Sequence, residues 1–228
     1  MTWAVVVAAG RGLRFGGQIP KQFVPVLGKP LLQHALERLA SCPSVEGMVV
    51  VLPAEATAPL PVEMRGKPMR RAGGGAERVD SVSNGLAALP ADLEQDAFVL
   101  VHDGARPCVR VADIERLIER GSGHDAGALL AVPVRDTLKR ADGDSRVAAT
   151  LPRHQIWRAQ TPQLFRVRLL REALALSGGP EITDEAAAVE AMGLKPLLVP
   201  GSEDNIKVTT ASDLLMAEWI LSCQGALP

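Results

Sequence analysis

Trp3-Ala4-Val5-Val6-Val7-Ala8-Ala9 is an unbroken apolar run closed by Gly10, and Gly12, Gly16 and Gly17 follow within a few residues. A continuous, β-branched stretch ending in glycine suits a strand buried on both faces of a parallel sheet. Beyond the glycines, Pro30 opens a helical pattern in which Leu32, Ala35, Leu36 and Leu39 share one face. Strand, glycine loop and helix in that order form the first unit of an alternating chain.

The alternation continues outward from that unit. Buried strands are expected at 47–52, 97–102, 126–132 and 194–199, and helices at 80–89, 111–120, 166–176, 184–192 and 211–221. The fold class is therefore α/β: a mostly parallel, Rossmann-like sheet with helices on both faces and ligands outside the carboxyl ends of its strands. The 228 residues suit one such domain, 1–228, given roughly 150 residues per domain. The Pro-rich stretch 53–68 reads as a surface connection. One segment departs from the pattern: two half-polar runs, 136–140 and 145–150, flank a turn at Asp142-Gly143. They predict a protruding β-hairpin arm at about 133–157. Such a ribbon is marginal alone, so it is expected to pack on a second subunit as a dimerisation arm.

Composition narrows the function. Hydrophobic residues make up 47% and charged ones 22%, with 4 Phe, 3 Trp and no Tyr, which excludes a disordered or collagen-like chain and requires an aliphatic core. Twenty-five Lys+Arg balance 26 Asp+Glu, so no global basic field draws nucleic acid or anionic membrane, and any anion site is local. The run at 3–9 is far short of the ~20 residues of a membrane span, and no basic region precedes it as in a signal peptide. Cys42, Cys108 and Cys223 are odd in number and never in a C-x-x-C pair, which fits free thiols in a reducing compartment. A soluble cytoplasmic enzyme is the expectation. The histidines, His34, His102, His124 and His154, lack zinc-site spacing.

Several motifs carry chemistry. In Ala8-Ala9-Gly10-Arg11-Gly12-Leu13-Arg14, continuing to Pro20-Lys21-Gln22, the glycines let backbone N–H groups approach phosphates, and Arg14 and Lys21 supply charge against a triphosphate. The loop fits neither common phosphate template: Phe15 stands where a dinucleotide fingerprint needs glycine, and Gln18 where a Walker A loop needs lysine. Gly73-Gly74-Gly75-Ala76-Glu77-Arg78-Val79-Asp80-Ser81 leads into a helix whose N–H groups can meet a base edge or a phosphate. Val99-Leu100-Val101-His102-Asp103-Gly104-Ala105-Arg106-Pro107 delivers Asp103 at a strand's carboxyl end, where a carboxylate suits Mg²⁺ bridging substrate phosphates, while Arg106 suits a second anion. His102 reads as a satisfied hydrogen-bonding residue. Further on lie Arg135-Asp136-Thr137, Arg153, Thr161-Pro162-Gln163, Ile182-Thr183-Asp184-Glu185-Ala186 and Asp204-Asn205-Ile206-Lys207-Val208-Thr209. Only six of the basic residues are lysine, which makes Lys21 and Lys207 more informative than they would be in a lysine-rich chain.

Taken in order from Ala8 to Thr209, these motifs resemble the 2-C-methyl-D-erythritol 4-phosphate cytidylyltransferases of the non-mevalonate isoprenoid pathway. The resemblance implies transfer of CMP from CTP to methylerythritol phosphate, with Mg²⁺ or another divalent cation, in a homodimer. By position it makes Arg14, Lys21, Arg153 and Lys207 catalytic, and Ala8, Ala9, Gly10, Gly12, Gly75, Ser81 and Asp103 nucleotide-binding. It makes Asp103 the metal-associated residue, and Arg106, Thr137, Arg153, Thr161 and Thr183 the acceptor site, with Arg153 reaching across the dimer. Ala76 and Gly104 depart from family members that carry aspartate and alanine there, without removing a charge that the chemistry needs. A cytidylyltransferase for ribitol 5-phosphate is the nearest alternative; a dinucleotide oxidoreductase and a non-catalytic nucleotide module are remoter ones.

Overall fold

The computed structural model describes residues 1–10, 20–56, 60–176 and 182–226. Strand β1 (Thr2–Val7) is followed by a single 3₁₀ turn at Lys21–Phe23, the two-residue strands β2 (Pro25–Val26) and β3 (Lys29–Pro30), and helix α1 (Leu31–Ser41). Then come β4 (Gly47–Leu52), β5 (Glu63–Met64), β6 (Lys67–Gly73), α2 (Arg78–Ala87), β7 (Phe98–Asp103), α3 (Val111–Gly121) and β8 (Ala128–Pro133). The hairpin β9 (Leu138–Ala141) and β10 (Val147–Leu151) precedes β11 (Trp157–Arg166), α4 (Val167–Leu176), α5 (Glu185–Ala191), β12 (Leu197–Pro200) and α6 (Ala211–Ala226).

Eight strands form one sheet in the order β12-β8-β11-β7-β1-β4-β6-β5. The central run β7-β1-β4-β6 is parallel, as is β12 on β8, whereas β11 runs antiparallel between β7 and β8. Alternate residues of the central strands point to opposite faces. Val5, Val49, Val51, Val99 and Val101 pack under α2, α4 and α5, while Ala4, Val6, Val50 and Leu100 pack against α1 and α3. Helices therefore cover both faces, as the continuous apolar strands require. Helix α6 closes a smaller cluster over Val26, Leu31, Cys108 and Val208.

Two strands correct the reading of the sequence. β6 begins inside the stretch taken for a surface connection and adds a parallel strand beyond β4. β11 carries Gln160, Thr161, Pro162 and Gln163, a polar and proline-containing segment that argues against an interior strand. The proline is tolerated because the register with β8 shifts between Ala159 and Gln163, a bulge where the ladder is interrupted. The polar side chains are buried because each finds a partner.

β9 and β10 form the expected hairpin as a separate two-stranded sheet. Its turn is organised by Asp142, whose Oδ1 accepts the N–H groups of Asp144 and Arg146 at 2.9 Å each. Among the described residues no helix is long and apolar enough to cross a membrane.

Candidate functional site

Strand order reverses at β1: the chain steps outward to β4 and β6, then returns to β7 on the other side. Ligand crevices of open α/β sheets form at such a switch point, outside the carboxyl ends of the strands. A cavity of about 600 Å³ lies here, lined among others by Ala8, Ala9, Gly10, Lys21, Gly75, Ser81, Asp103 and Lys207.

One wall is made where glycines let segments approach closely. A Cβ on Gly74 would stand 2.3 Å from that of Ala9, and one on Gly75 would stand 2.1 Å from that of Asp80. The Gly75 N–H donates to Ser81 Oγ at 3.0 Å, and Ser81 donates to the Glu77 carbonyl. Glu77 and Asp80 complete a reciprocal capping box at the start of α2. The capping box satisfies the Glu77 and Asp80 amides, and the glycine and alanine surfaces form the wall beside them.

The opposite wall is electrostatic. Asp103 is 7% exposed; its Oδ2 lies 2.7 Å from Lys207 Nζ, its Oδ1 lies 3.0 Å from Arg78 Nη2, and Arg106 Nε stands 3.9 Å away. Burial by itself would raise this carboxyl's pKa, but Arg78 and Lys207 more than reverse that and hold it well below the usual carboxylate range. Lys21 reaches the same cavity from the 3₁₀ turn and donates to the Val208 carbonyl at 2.9 Å. Two of the chain's six lysines, 186 positions apart, thus meet at one cavity.

Arg78 also grips Glu185, at the first turn of α5, through its two terminal guanidinium nitrogens, with Nη2 to Oε2 at 3.1 Å. Glu185 is 1% exposed; burial raises its pKa against the pull of Arg78. The start of α5 is tied again by Gln163, which donates to Asp184 Oδ2 and accepts from the Ala186 N–H, each at 2.9 Å. Neither Arg78 nor Glu185 was singled out as a site residue from sequence. One signal was available: a basic residue at the first position of a helix opposes the macrodipole unless an acid meets it.

The remaining expected residues are distributed as follows. Arg106 is half-buried beside Asp103, donates to the Asn205 carbonyl at 2.8 Å, and keeps a buried Nε without a hydrogen-bond partner. Thr161 is buried behind Asp103, and its Oγ1 accepts the Asp103 N–H at 2.9 Å. Thr183 is exposed just ahead of α5. Thr137 and Arg153 are exposed at the base of the arm and outside the cavity lining, with Arg153 donating to the Arg135 carbonyl. Arg14 and Gly12 lie outside the described residues. His102 is buried and hydrogen-bonded as expected, and burial pushes its pKa down to about 4. No cluster of three or more His, Cys, Asp or Glu side chains able to hold a metal occurs among the described residues.

The profile of the family described as 2-C-methyl-D-erythritol 4-phosphate cytidylyltransferase (IspD) matches residues 2–223. A relative of that name from Xylella fastidiosa (strain 9a5c) is 52% identical over 223 residues, 96% of each chain. A crystal structure of a 4-diphosphocytidyl-2C-methyl-D-erythritol synthase superposes with a TM-score of 0.83 at 38% identity, covering 96% of this chain and 98% of the other. The Francisella tularensis 2-C-methyl-D-erythritol 4-phosphate cytidylyltransferase gives 0.81 at 33% identity, covering 96% and 99%.

Proposed function

The chain belongs to the 2-C-methyl-D-erythritol 4-phosphate cytidylyltransferase family, and from that premise we propose how its cavity works. It is a nucleotidyltransferase that moves CMP from CTP to 2-C-methyl-D-erythritol 4-phosphate, giving 4-diphosphocytidyl-2-C-methyl-D-erythritol and pyrophosphate in isoprenoid biosynthesis. The acceptor's phosphate oxygen attacks the α-phosphorus in line with the departing pyrophosphate. A phosphate monoester is already largely ionised near pH 7, its second pKa being about 6, so neither a protein nucleophile nor a general base is needed. What remains is to hold two mutually repelling anions in line and to neutralise their charge.

The observation that carries this reading is the meeting of Lys21 and Lys207 at one cavity beside the Asp103 carboxylate. Lys21, with Arg14, neutralises the α-phosphate and the leaving pyrophosphate, and Lys207 acts on the attacking side. Ala8, Ala9, Gly10, Gly12, Gly75 and Ser81 hold the nucleotide. The acceptor lies toward Arg106, Thr161 and Thr183, where the Arg106 guanidinium beside Asp103 supplies positive charge for an anion.

Asp103 is ionised and faces the cavity, and each of its oxygens keeps a lone pair beyond its ion pair, which fits Mg²⁺ held mainly by phosphate oxygens and water. Bound by Asp103, such an ion, or another divalent cation in its place, supplies charge neutralisation to the triphosphate.

The working unit is a homodimer in which Thr137 and Arg153 of the arm serve the partner's acceptor site. The separate hairpin sheet, with Val147 66% exposed, supports this, because a lone ribbon gains little stability without a surface to cover it. The free thiols Cys42, Cys108 and Cys223 support the cytoplasm as its compartment.

Pyrophosphate release from CTP and Mg²⁺, with methylerythritol 4-phosphate and ribitol 5-phosphate compared in parallel, tests the assignment. Release preferring the former is expected. Preference for ribitol 5-phosphate would move the pathway, and no release with either would contradict the function.

A further inference from the structure

A buried hydrogen-bond chain behind Asp103 runs through Thr161 and His102 and ends on the turn that carries Arg106. The Asp103 N–H donates to Thr161 Oγ1 at 2.9 Å, Oγ1 lies 3.1 Å from His102 Nδ1, and His102 Nε2 lies 3.1 Å from the Arg106 carbonyl oxygen. Counting protons fixes each role. The Arg106 carbonyl can only accept, so Nε2 carries the ring proton; Nδ1 then accepts the Thr161 hydroxyl proton, and the Thr161 oxygen accepts from the Asp103 N–H. With His102 0% exposed, no water competes for these bonds.

The chain closes on itself. Thr161's carbonyl accepts Asn205 Nδ2 at 2.9 Å, and Asn205's carbonyl accepts Arg106 Nη1 at 2.8 Å. The turn it encloses is pinned by Arg106 N–H to Asp103 O at 2.9 Å. The imidazole therefore joins the end of β7, the bulge of β11 and the turn carrying Arg106, while the segment leading to Lys207 is joined through Asn205. The bonds running from Asp103 through Thr161 and His102 to Arg106 are all made in a buried setting, which stiffens the turn.

We propose that His102 is a positioning residue for the acceptor phosphate: it holds the 103–106 turn, and with it the Arg106 guanidinium, in the place from which that charge acts on the anion. This rests on the reading of Arg106 as part of the acceptor site. His102 is fully buried and bonds directly to the Arg106 carbonyl, whereas it meets Asp103 only through Thr161 and a backbone N–H, so its effect falls mainly on the half of the site that Arg106 serves.

The test compares wild type with His102→Leu and His102→Gln, reading CTP affinity, KM for methylerythritol 4-phosphate, kcat and melting temperature. For His102→Leu, KM for the acceptor should rise at least about tenfold and kcat should fall by a similar factor, the scale of a slightly misplaced contact, with CTP affinity essentially unchanged. His102→Gln retains a donor toward the Arg106 carbonyl and should recover part of both losses. If His102→Leu does not fold, His102→Gln carries the same test with a smaller KM rise. CTP affinity falling in parallel with acceptor KM, or an acceptor KM like that of wild type, would overturn the proposal. An inactive wild type would overturn the functional reading and this inference with it, whereas an active wild type beside an unaffected His102→Leu variant overturns the inference alone.

Discussion

The turn after β7 and the β9–β10 arm each carry an arginine assigned to one acceptor, yet they hold it in opposite ways. Asp103 is buried and Arg106 half-buried, and the pair is contacted by residues from α2, β11 and the 205–208 segment. Thr137 and Arg153 are exposed, and the arm's strands pair only with each other. A half-buried cation next to a buried carboxylate acts in a low effective dielectric without having to reorganise, which makes its charge effective on a bound phosphate. An exposed arginine on a ribbon is screened and mobile until another surface covers it. Among the described residues the groups around Asp103 meet within one chain, whereas the arm meets the cavity only in the proposed dimer.

The predictions probe that contrast, beginning with the rigid half. Glu185→Ala removes one of the two buried carboxylates that hold Arg78 and should lower unfolding stability by about 3–5 kcal/mol, the cost of breaking a buried pair. A denaturation midpoint like that of wild type would show that the existing pair with Asp103 suffices for Arg78. Lys21→Ala and Lys207→Ala should each reduce turnover by 10²–10³, about 3–4 kcal/mol, with the fold intact. Near-native turnover by either would remove that lysine from the mechanism.

Acid should weaken the same half. Because the pKa of His102 is lowered to about 4 in the folded protein, the unfolded chain takes up the proton first as pH falls. Its contribution, about 3 kcal/mol at most, is fully present above about pH 7 and is lost between about 6.5 and 4. Asp103, with its pKa lowered, contributes stability above the carboxylate range that is lost at still lower pH. Melting temperature against pH, compared between wild type and His102→Gln, checks this; equal slopes between pH 6.5 and 4 would contradict it.

Arg153→Ala should have the smallest effect, about tenfold, or about 1.4 kcal/mol, in turnover with methylerythritol 4-phosphate and none on CTP affinity. Mixed with Lys207→Ala, it should regain activity if Arg153 serves the partner's site, because one site of each mixed dimer carries neither substitution. Absence of complementation after subunit exchange would place Arg153 in its own chain's site.

The contrast also explains what the sequence revealed. β1, α1 and the hairpin were legible because apolar periodicity and an Asp-Gly turn are local signals. β11 was not, since its buried Gln160, Thr161 and Gln163 make sense only beside distant partners. Lys21, Asp103 and Lys207 stood out through ordered motifs. Arg78 and Glu185, 107 residues apart, are matched by fork-to-carboxylate geometry that spacing does not encode. Arg14 and Gly12 fall outside the described residues, so their place in the loop rests on the motif.

The central claim is catalysis by positioning and charge neutralisation alone, with the acceptor phosphate attacking CTP directly. The stereochemical course at phosphorus tests it most directly, using CTP with a chiral α-thiophosphate and methylerythritol 4-phosphate. A single in-line displacement predicts inversion at the α-phosphorus. Retention would reveal a covalent nucleotidyl-enzyme and contradict the account.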